Sequence, residues 1–304
     1  MALPETARAT LQRQKRIERV IETFLLIAAL SSVFVTTAIV FVLVSESLVF
    51  FNEVSVVTFL TDTMWTPLFA EPRFGILPLL VGTLLSTTVA VVVAFPLGLA
   101  IAIYLSEYAP PAVRESVKPV LEVLAGIPTV IYGYFALLFV TPLLQATILP
   151  GLPGFNVLSA GIVIGIMIVP YISSVSEDAM RAVPLPLREG SYAMGSTRFQ
   201  TAIRVVVPAA ISGIAAAAVL GISRAVGETM IVAIAAGLVP TLSFNPMEPA
   251  ATITAYIVQV ALGDLPHGSI GYQTIFAAGL LLLLITLVFN LAAYFLRRRY
   301  REIY

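Results

Sequence analysis

The sequence contains no cysteine, a single histidine and only two lysines, and charged residues make up just 11% of its 304 positions. The absence of cysteine excludes disulfides, thiolate metal sites and cysteine nucleophiles. Neither Lys15 nor Lys118 follows a glycine, so the chain has no Walker A phosphate-binding loop. Soluble domains carry about 25% charged residues, so this scarcity, with 59% hydrophobic residues, indicates a protein dissolved in lipid. The net charge of zero points to no nucleic-acid or polyanion partner.

Long stretches with no charge, or in one case only two charges, account for most of the chain, and a helix needs about 20 apolar residues to cross a bilayer. They are residues 23–45, 74–106, 123–176, 205–247 and 268–296. The third stretch is too long for one helix, and the sequence PGLPG at 150–154 divides it into two. The fourth holds Arg224 and Glu228 and is interpreted as one long span. The sequence therefore predicts an all-α membrane protein with six transmembrane helices, and a short interfacial or re-entrant helix over 249–263.

The basic residues predict the orientation, because short cytoplasmic loops retain Lys and Arg while exported loops lose them. With the N-terminus inside, Arg73 is the only one of the 17 basic residues to fall outside, and Arg224 the only one within the membrane. Both termini are thus predicted to be cytoplasmic. The first apolar run lacks a small-residue cleavage site and exceeds the length of a signal-peptide core, so it is expected to be a retained span.

The long cytoplasmic connection over 177–208 has the pattern of two short helices. Pro184 and Pro186 are expected to end one helix, residues 187–194 to form another, and Gly195 to supply the left-handed turn that stops it. Residues 197–207 then lead helically into the membrane. Two short helices at an angle form a projection that fits a partner's groove, and an ordinary solvated loop is the alternative.

The same segment resembles the EAA motif of ATP-binding-cassette importer permeases. The matching positions are Glu189, Gly195, Val205, Val207 and Pro208. The chain departs from the motif in having Gly190 and Ser191 for two alanines, and valines at 205 and 207 for isoleucine and leucine. The resemblance implies a type I importer permease fold, in which this segment is the coupling helix that docks on a separate ATPase subunit, with Gly195 as its turn.

Further segments resemble phosphate-specific permeases, and the one at 220–232, with Met230 after GET, resembles the PstC type more than its PstA-type partner. They are FGILPLLVGTLLST at 74–87, PLGLAIAIYLSEYAP at 96–110, LAGIPTVIYGYFAL at 124–137 and LGISRAVGETMIV at 220–232. The resemblance implies a permease core over 74–296, after a cytoplasmic segment 1–22, a first span 23–49 and an outer loop 50–73. A basic cytoplasmic C-terminus over 297–304 completes the chain.

The implied function is import of inorganic phosphate across a bacterial inner membrane. The implied partners are a homologous PstA-type permease, two PstB-type ATPase subunits and a PstS-type phosphate-binding protein outside. No cofactor is expected on this chain, since ATP and magnesium would bind the ATPase. The alternatives are a permease for molybdate, tungstate or sulfate, the PstA-type subunit itself, or a secondary transporter or channel that acts alone. A membrane enzyme is poorly supported, because the spans offer no cluster of His, Asp and Glu.

Arg224 and Glu228 are the candidate pathway residues. Four residues apart on the predicted fifth span, they would share a helix face and pair. A charge inside the bilayer costs roughly 2.5 to 3.5 kcal/mol, so it usually faces a cavity or a partner. Arginine's planar donors match phosphate oxygens, so Arg224 is expected to meet the anion while Glu228 orients it. A purely structural ion pair is the alternative.

Overall fold

The computed structural model describes residues 5–263 and 265–299 of the chain, with side-chain burial for 14–263 and 265–295. The predicted terminal segments 1–22 and 297–304 therefore lie partly outside the described residues. The cytoplasmic location of both termini stays a prediction. We use the words cytoplasmic and outer for the two ends of the helix bundle in that predicted sense.

Within the described ranges the chain folds into fourteen α-helices, three of which lead directly into a π-helical turn. The helices are α1 Glu5–Glu53, α2 Val56–Thr61, α3 Leu77–Ile103, α4 Pro111–Gly126, α5 Thr129–Phe135, α6 Thr141–Thr147, α7 Val157–Arg181, α8 Leu185–Ala193, α9 Arg198–Thr201, α10 Val207–Ala209, α11 Ile211–Val226, α12 Met230–Ala235, α13 Ile253–Ala261 and α14 Ile270–Arg299. The π-helical turns are Tyr104–Tyr108, Ala136–Val140 and Ala202–Val206.

Five helical segments of the described chain are long and apolar enough to cross a membrane. They are Gln14–Glu53, Leu77–Tyr108, Thr129–Thr147, Val157–Arg181 and Ile270–Phe295. A sixth candidate is the pair Arg198–Ala209 and Ile211–Val226, which bends by 74° between its halves. Counting the bent pair as one span gives the six that the sequence predicts. The third span begins only at Thr129, because the chain breaks at Ile127 and Pro128 after the amphipathic helix α4.

Glycines bring α3 and α7 into close contact in the main core. A Cβ on Gly161 would lie 2.6 Å from the Val89 Cβ, and one on Gly165 would lie 2.9 Å from the Ala90 carbonyl oxygen. Small residues allow such an approach in lipid, where packing replaces the hydrophobic driving force. The glycines of the GxxxG pattern at 161–165 therefore form part of the surface on which α3 and α7 pack.

An aromatic cluster closes the outer end. Trp65, the only tryptophan of the chain, is buried and meets Tyr256 of α13 edge to face, with ring centres 5.1 Å apart. The loop that carries it is held by Arg73, whose Nε and Nη2 donate to the two Asp62 carboxylate oxygens at 2.8 Å. Helix α13 lies within the stretch 249–263, where the sequence predicts a short helix.

The single long span that the sequence predicts over 205–247 is wrong. Helix α11 ends at Val226, the six-residue helix α12 follows after a break at 227–229, and the chain is then non-helical up to α13. Gly237 and Leu238 both have positive φ, at 96° and 54°, and an α-helix requires negative φ. Hydropathy misses these breaks because the residues on both sides of each one are apolar.

Candidate functional site

The connection between α7 and α11 forms a projecting elbow, which we define as residues 182–209. Its first helix, α8, ends in a Schellman turn: the Gly195 N–H donates to the Tyr192 carbonyl at 2.9 Å, and the Ser196 N–H donates to the Ser191 carbonyl at 3.2 Å. Gly195 has a φ of 82°, a left-handed conformation that glycine adopts without strain. The left-handed turn that the sequence predicts at Gly195 is therefore present.

The second half of the elbow starts with a capping box. The Thr197 hydroxyl accepts from the Gln200 N–H, and the Gln200 side chain accepts from the Thr197 N–H. The two halves are joined where Ser191 and Thr201 share a hydrogen bond of 2.9 Å between their hydroxyls. Serine at a position where the EAA motif has alanine thus adds a bond that fixes the angle of the elbow.

The elbow presents apolar side chains to its surroundings. Met194 is 87% exposed, Phe199 is 64% exposed, and Leu185 and Tyr192 are exposed as well. Glu189 is also exposed on this surface. Several large apolar side chains exposed on one short segment are typical of a protein–protein contact. The arrangement fits the docking role that the EAA resemblance implies.

The second half of the EAA motif lies where the elbow returns to the bundle. Val205 and Val207 are partly buried and Pro208 is exposed. Val206 between them is fully buried and packs in a cluster with Met180 of α7. Val205 and Val207 of the motif therefore flank Val206, the buried residue that packs the elbow against α7.

Two buried carboxylates anchor this end of the bundle, and sequence reasoning missed both. Glu107, in the π-helical turn after α3, pairs with Arg188 of α8 at 3.0 Å. Glu177 of α7 is fully buried among three cations, of which Lys118 is in direct contact and Arg114 and Arg181 lie at 3.5 and 3.8 Å. The only sequence signal was the placement of each glutamate at the end of an apolar stretch.

Lys118 of α4 is held by Glu177 and also by Asp178, which lies 3.0 Å from its Nζ. Burial disfavours the charged amine, but hydrogen bonds to the two carboxylates outweigh burial and raise the pKa of Lys118. The amine therefore stays protonated near neutral pH, and α4 stays bound to α7.

The predicted helical pairing of Arg224 with Glu228 is absent. Arg224 lies in the last turn of α11, and Glu228 lies beyond its end. Glu228 instead turns its carboxylate onto α12, where Oε1 accepts from the Met230 and Ile231 N–H groups at 3.1 and 3.3 Å. Acceptors at a helix start satisfy amides that have no partner inside the helix, so Glu228 stabilises the break.

Helix α13 supports the same break from the outer side. The Thr254 hydroxyl donates to the Glu228 carbonyl at 2.8 Å, and Thr252 shares a hydrogen bond with Thr254 at 3.1 Å. The Thr83 hydroxyl of α3 accepts from the Ile253 N–H at 3.1 Å. The Glu228 carbonyl of the break is therefore bonded to α13, and α13 is in turn bonded to α3.

Arg224 is exposed and, within the described residues, makes no hydrogen bond or ion pair. Its guanidinium carbon lies 5.8 Å from the centre of the Tyr171 ring of α7, a cation–π distance. The Tyr171 hydroxyl donates to the Ala125 carbonyl at 3.5 Å, at the end of α4. The ring thus supports the cation while the guanidinium N–H groups remain available to an anion.

Comparison with known proteins identifies the family. The sequence model of the binding-protein-dependent transport system inner membrane component matches residues 94–302. The probable ABC transporter permease protein YqgH of Bacillus subtilis is 39% identical over 248 residues, or 82% of this chain and 80% of that protein. The phosphate transport system permease protein PstC of Mesorhizobium japonicum is 36% identical over 263 residues, or 79% of this chain and 78% of that protein.

The fold is also that of a solved transporter chain. A chain in the crystal structure of a bacterial ABC transporter involved in the import of the acidic polysaccharide alginate superposes with a TM-score of 0.63 at 20% identity, covering 94% of this chain and 100% of that chain. At this identity the likeness concerns the fold. Together with the apolar spans and the PstC relatives, these matches show that the chain belongs to the binding-protein-dependent transport system inner membrane components, as a multi-pass ABC importer permease subunit of the PstC type.

Proposed function

We propose that this chain forms half of the translocation pathway of an ATP-driven importer for inorganic phosphate. The observation that carries the proposal is Arg224, a permanent cation at the end of α11 with its donors unpaired and its plane supported by Tyr171. The guanidinium presents several N–H donors in a fixed plane that matches tetrahedral oxyanions. The PstC names of the relatives support phosphate as that anion.

In this proposal Arg224 contacts the anion transiently. Glu228 does not contact it and instead stabilises the backbone beside Arg224. By capping α12, Glu228 fixes the non-helical segment that follows Arg224, so that the cation stands beside irregular backbone. Irregular backbone at membrane depth is tolerated where it lines a cavity or is buried in protein. In this proposal a carboxylate four positions along the chain from Arg224 also limits trapping of the anion.

The partners follow from the elbow and the family. The exposed apolar surface around Met194 and Phe199 docks one ATPase subunit of the PstB type, which binds ATP and magnesium. A homologous PstA-type permease supplies the other half of the pathway and docks a second ATPase subunit. A PstS-type binding protein delivers phosphate to the outer end.

A permease for another oxyanion is the second candidate, because the name of the Bacillus subtilis relative states no substrate. The test is uptake and stimulated ATP hydrolysis in proteoliposomes that hold the assembled complex. Phosphate, molybdate, tungstate and sulfate are each presented with the binding protein. Stimulation by phosphate alone supports the proposal, and stimulation by one of the others in its place overturns it. Substrate movement by this chain without any ATPase would favour a secondary transporter.

A further inference from the structure

Arg188 binds the elbow to two spans at once. Its Nη2 donates to the Glu107 carboxylate at 3.0 Å and to the Met180 carbonyl at 2.8 Å, and its Nη1 donates to the Val183 carbonyl. Glu107 follows α3, and Met180 lies in the last turn of α7. A single side chain of α8 is therefore bonded to the cytoplasmic ends of both α3 and α7.

The contact is enclosed. The Glu107 side chain is 4% exposed and the Arg188 side chain is 13% exposed. The Ser106 hydroxyl donates to the same carboxylate at 2.8 Å. Separating the pair would leave a carboxylate with little solvent and one hydroxyl partner, which is unfavourable for a buried charge. The structure therefore favours a contact that stays closed.

The two spans held by Arg188 form one packed unit. A Cβ on Gly98 of α3 would lie 2.8 Å from the Ile172 side chain of α7, and the Gly161 and Gly165 contacts continue the same interface. The other exit from the elbow is different, because the chain bends by 74° between α10 and α11. A displacement of the elbow thus passes to α3 and α7 through a rigid contact and to α11 through a bend.

We propose that Arg188 and Glu107 form a latch that remains closed through the transport cycle and transmits movement of the elbow to α3 and α7. Both are positioning residues, and neither touches the transported anion. The inference rests on the proposed function in that the elbow docks on an ATPase subunit.

The test is the number of ATP molecules hydrolysed per phosphate imported by the full complex in proteoliposomes. For Arg188→Gln, co-purification of the ATPase is retained and the ratio rises about tenfold, while Arg188→Lys, which keeps the charge, recovers part of the coupling. Arg16→Gln is the control, since Arg16 is an exposed arginine of α1 that lies outside the elbow, and it leaves the ratio unchanged. An unchanged ratio in Arg188→Gln, or loss of the ATPase from that complex, overturns the latch.

A crosslink tests whether the latch stays closed, and this chain has no native cysteine that would compete for the reagent. The double variant Glu107→Cys with Arg188→Cys is uncoupled until a short bismaleimide, which adds one thiol at each end, joins the two residues, after which the ratio returns toward that of the unsubstituted complex. Arrest of transport by the crosslink shows that the contact must open, and it overturns the proposal. If the unsubstituted complex imports another oxyanion in place of phosphate, the proposed substrate fails, and the same ratios measured with that anion still decide the latch.

Discussion

The guanidinium carbon of Arg224 lies 5.8 Å from the centre of the Tyr171 ring, and this contact joins the end of α11 to α7. It is the interaction that holds the exposed cation in place, because Glu228 is engaged with the amides of α12. A ring contact fixes the position of a guanidinium and leaves its hydrogen-bond donors free. An ion pair with Glu228 would have occupied those donors.

Replacement of Tyr171 tests the ring contact. Cation–π contacts contribute about 0.5–2 kcal/mol, so Tyr171→Leu should reduce phosphate uptake by roughly 2- to 30-fold. Tyr171→Phe keeps the ring and loses only the hydroxyl bond to Ala125, so uptake should stay close to that of the unsubstituted complex. Equal losses in the two variants would show that the hydroxyl, and not the ring, positions Arg224.

Replacement of Glu228 distinguishes the effect of its hydrogen bonds to the first amides of α12 from the effect of its negative charge. Glu228→Ala removes the acceptor for the first amides of α12 and should destabilise the complex by about 0.5–2 kcal/mol. Glu228→Gln keeps an oxygen acceptor without the charge and should lose less. The measurement is the thermal unfolding temperature of the purified complex in detergent. A Gln variant as unstable as the Ala variant would mean that the carboxylate charge, rather than the cap, stabilises this segment.

The two glycines of the elbow should respond in opposite ways to alanine. Gly195→Ala forces a left-handed φ of 82° on a residue with a Cβ, at a cost of about 1–3 kcal/mol. Retention of the ATPase subunit in size-exclusion chromatography should therefore fall. Gly190→Ala meets nothing within 4 Å and favours helix α8, so retention should be kept or improved. Equal behaviour of the two variants would contradict the docking role of the elbow's shape.

The outer loop should respond to acid through Asp62. Its hydrogen bond to Arg73 lowers the pKa of Asp62 below the ordinary value of 3.8. Because the folded pKa is depressed, the stabilisation is full above about pH 4 and is lost as the pH falls through the lowered value. Trp65 is the only tryptophan of the chain. Its emission maximum should shift to longer wavelength as the pH falls through the lowered pKa of Asp62.

Asp62→Asn is the control for this titration, because it removes the ionising group while keeping the size of the side chain. Its Trp65 emission should show no transition in the same acid range. A transition of equal size in the Asn variant would assign the acid sensitivity to another group.

The spans and the elbow could be predicted from the sequence because each depends on residues that are close together in the chain. Charge-free runs mark the spans, and Gly195 follows a helix-compatible segment at the position where a left-handed turn ends it. The 74° bend and the break at 227–229 were missed, since apolar residues flank both.

The contacts that organise the candidate sites join residues far apart in the chain. Glu107 and Arg188 are 81 positions apart, and Thr254 reaches the Glu228 carbonyl across 26 positions. The pattern of apolar and charged residues describes one helix at a time. It carries no information on which residues of different helices come into contact. Arg224 could be singled out as an intramembrane charge, but its partner Tyr171 required the folded structure.

The most direct measurement is phosphate uptake by a complex that carries Arg224→Gln, with assembly and ATPase content checked by size-exclusion chromatography. We expect an intact complex that retains its ATPase subunits and imports no phosphate, because glutamine offers a single neutral amide in place of a charged plane of donors. Uptake at a near-normal rate would contradict a role for Arg224 in the anion pathway.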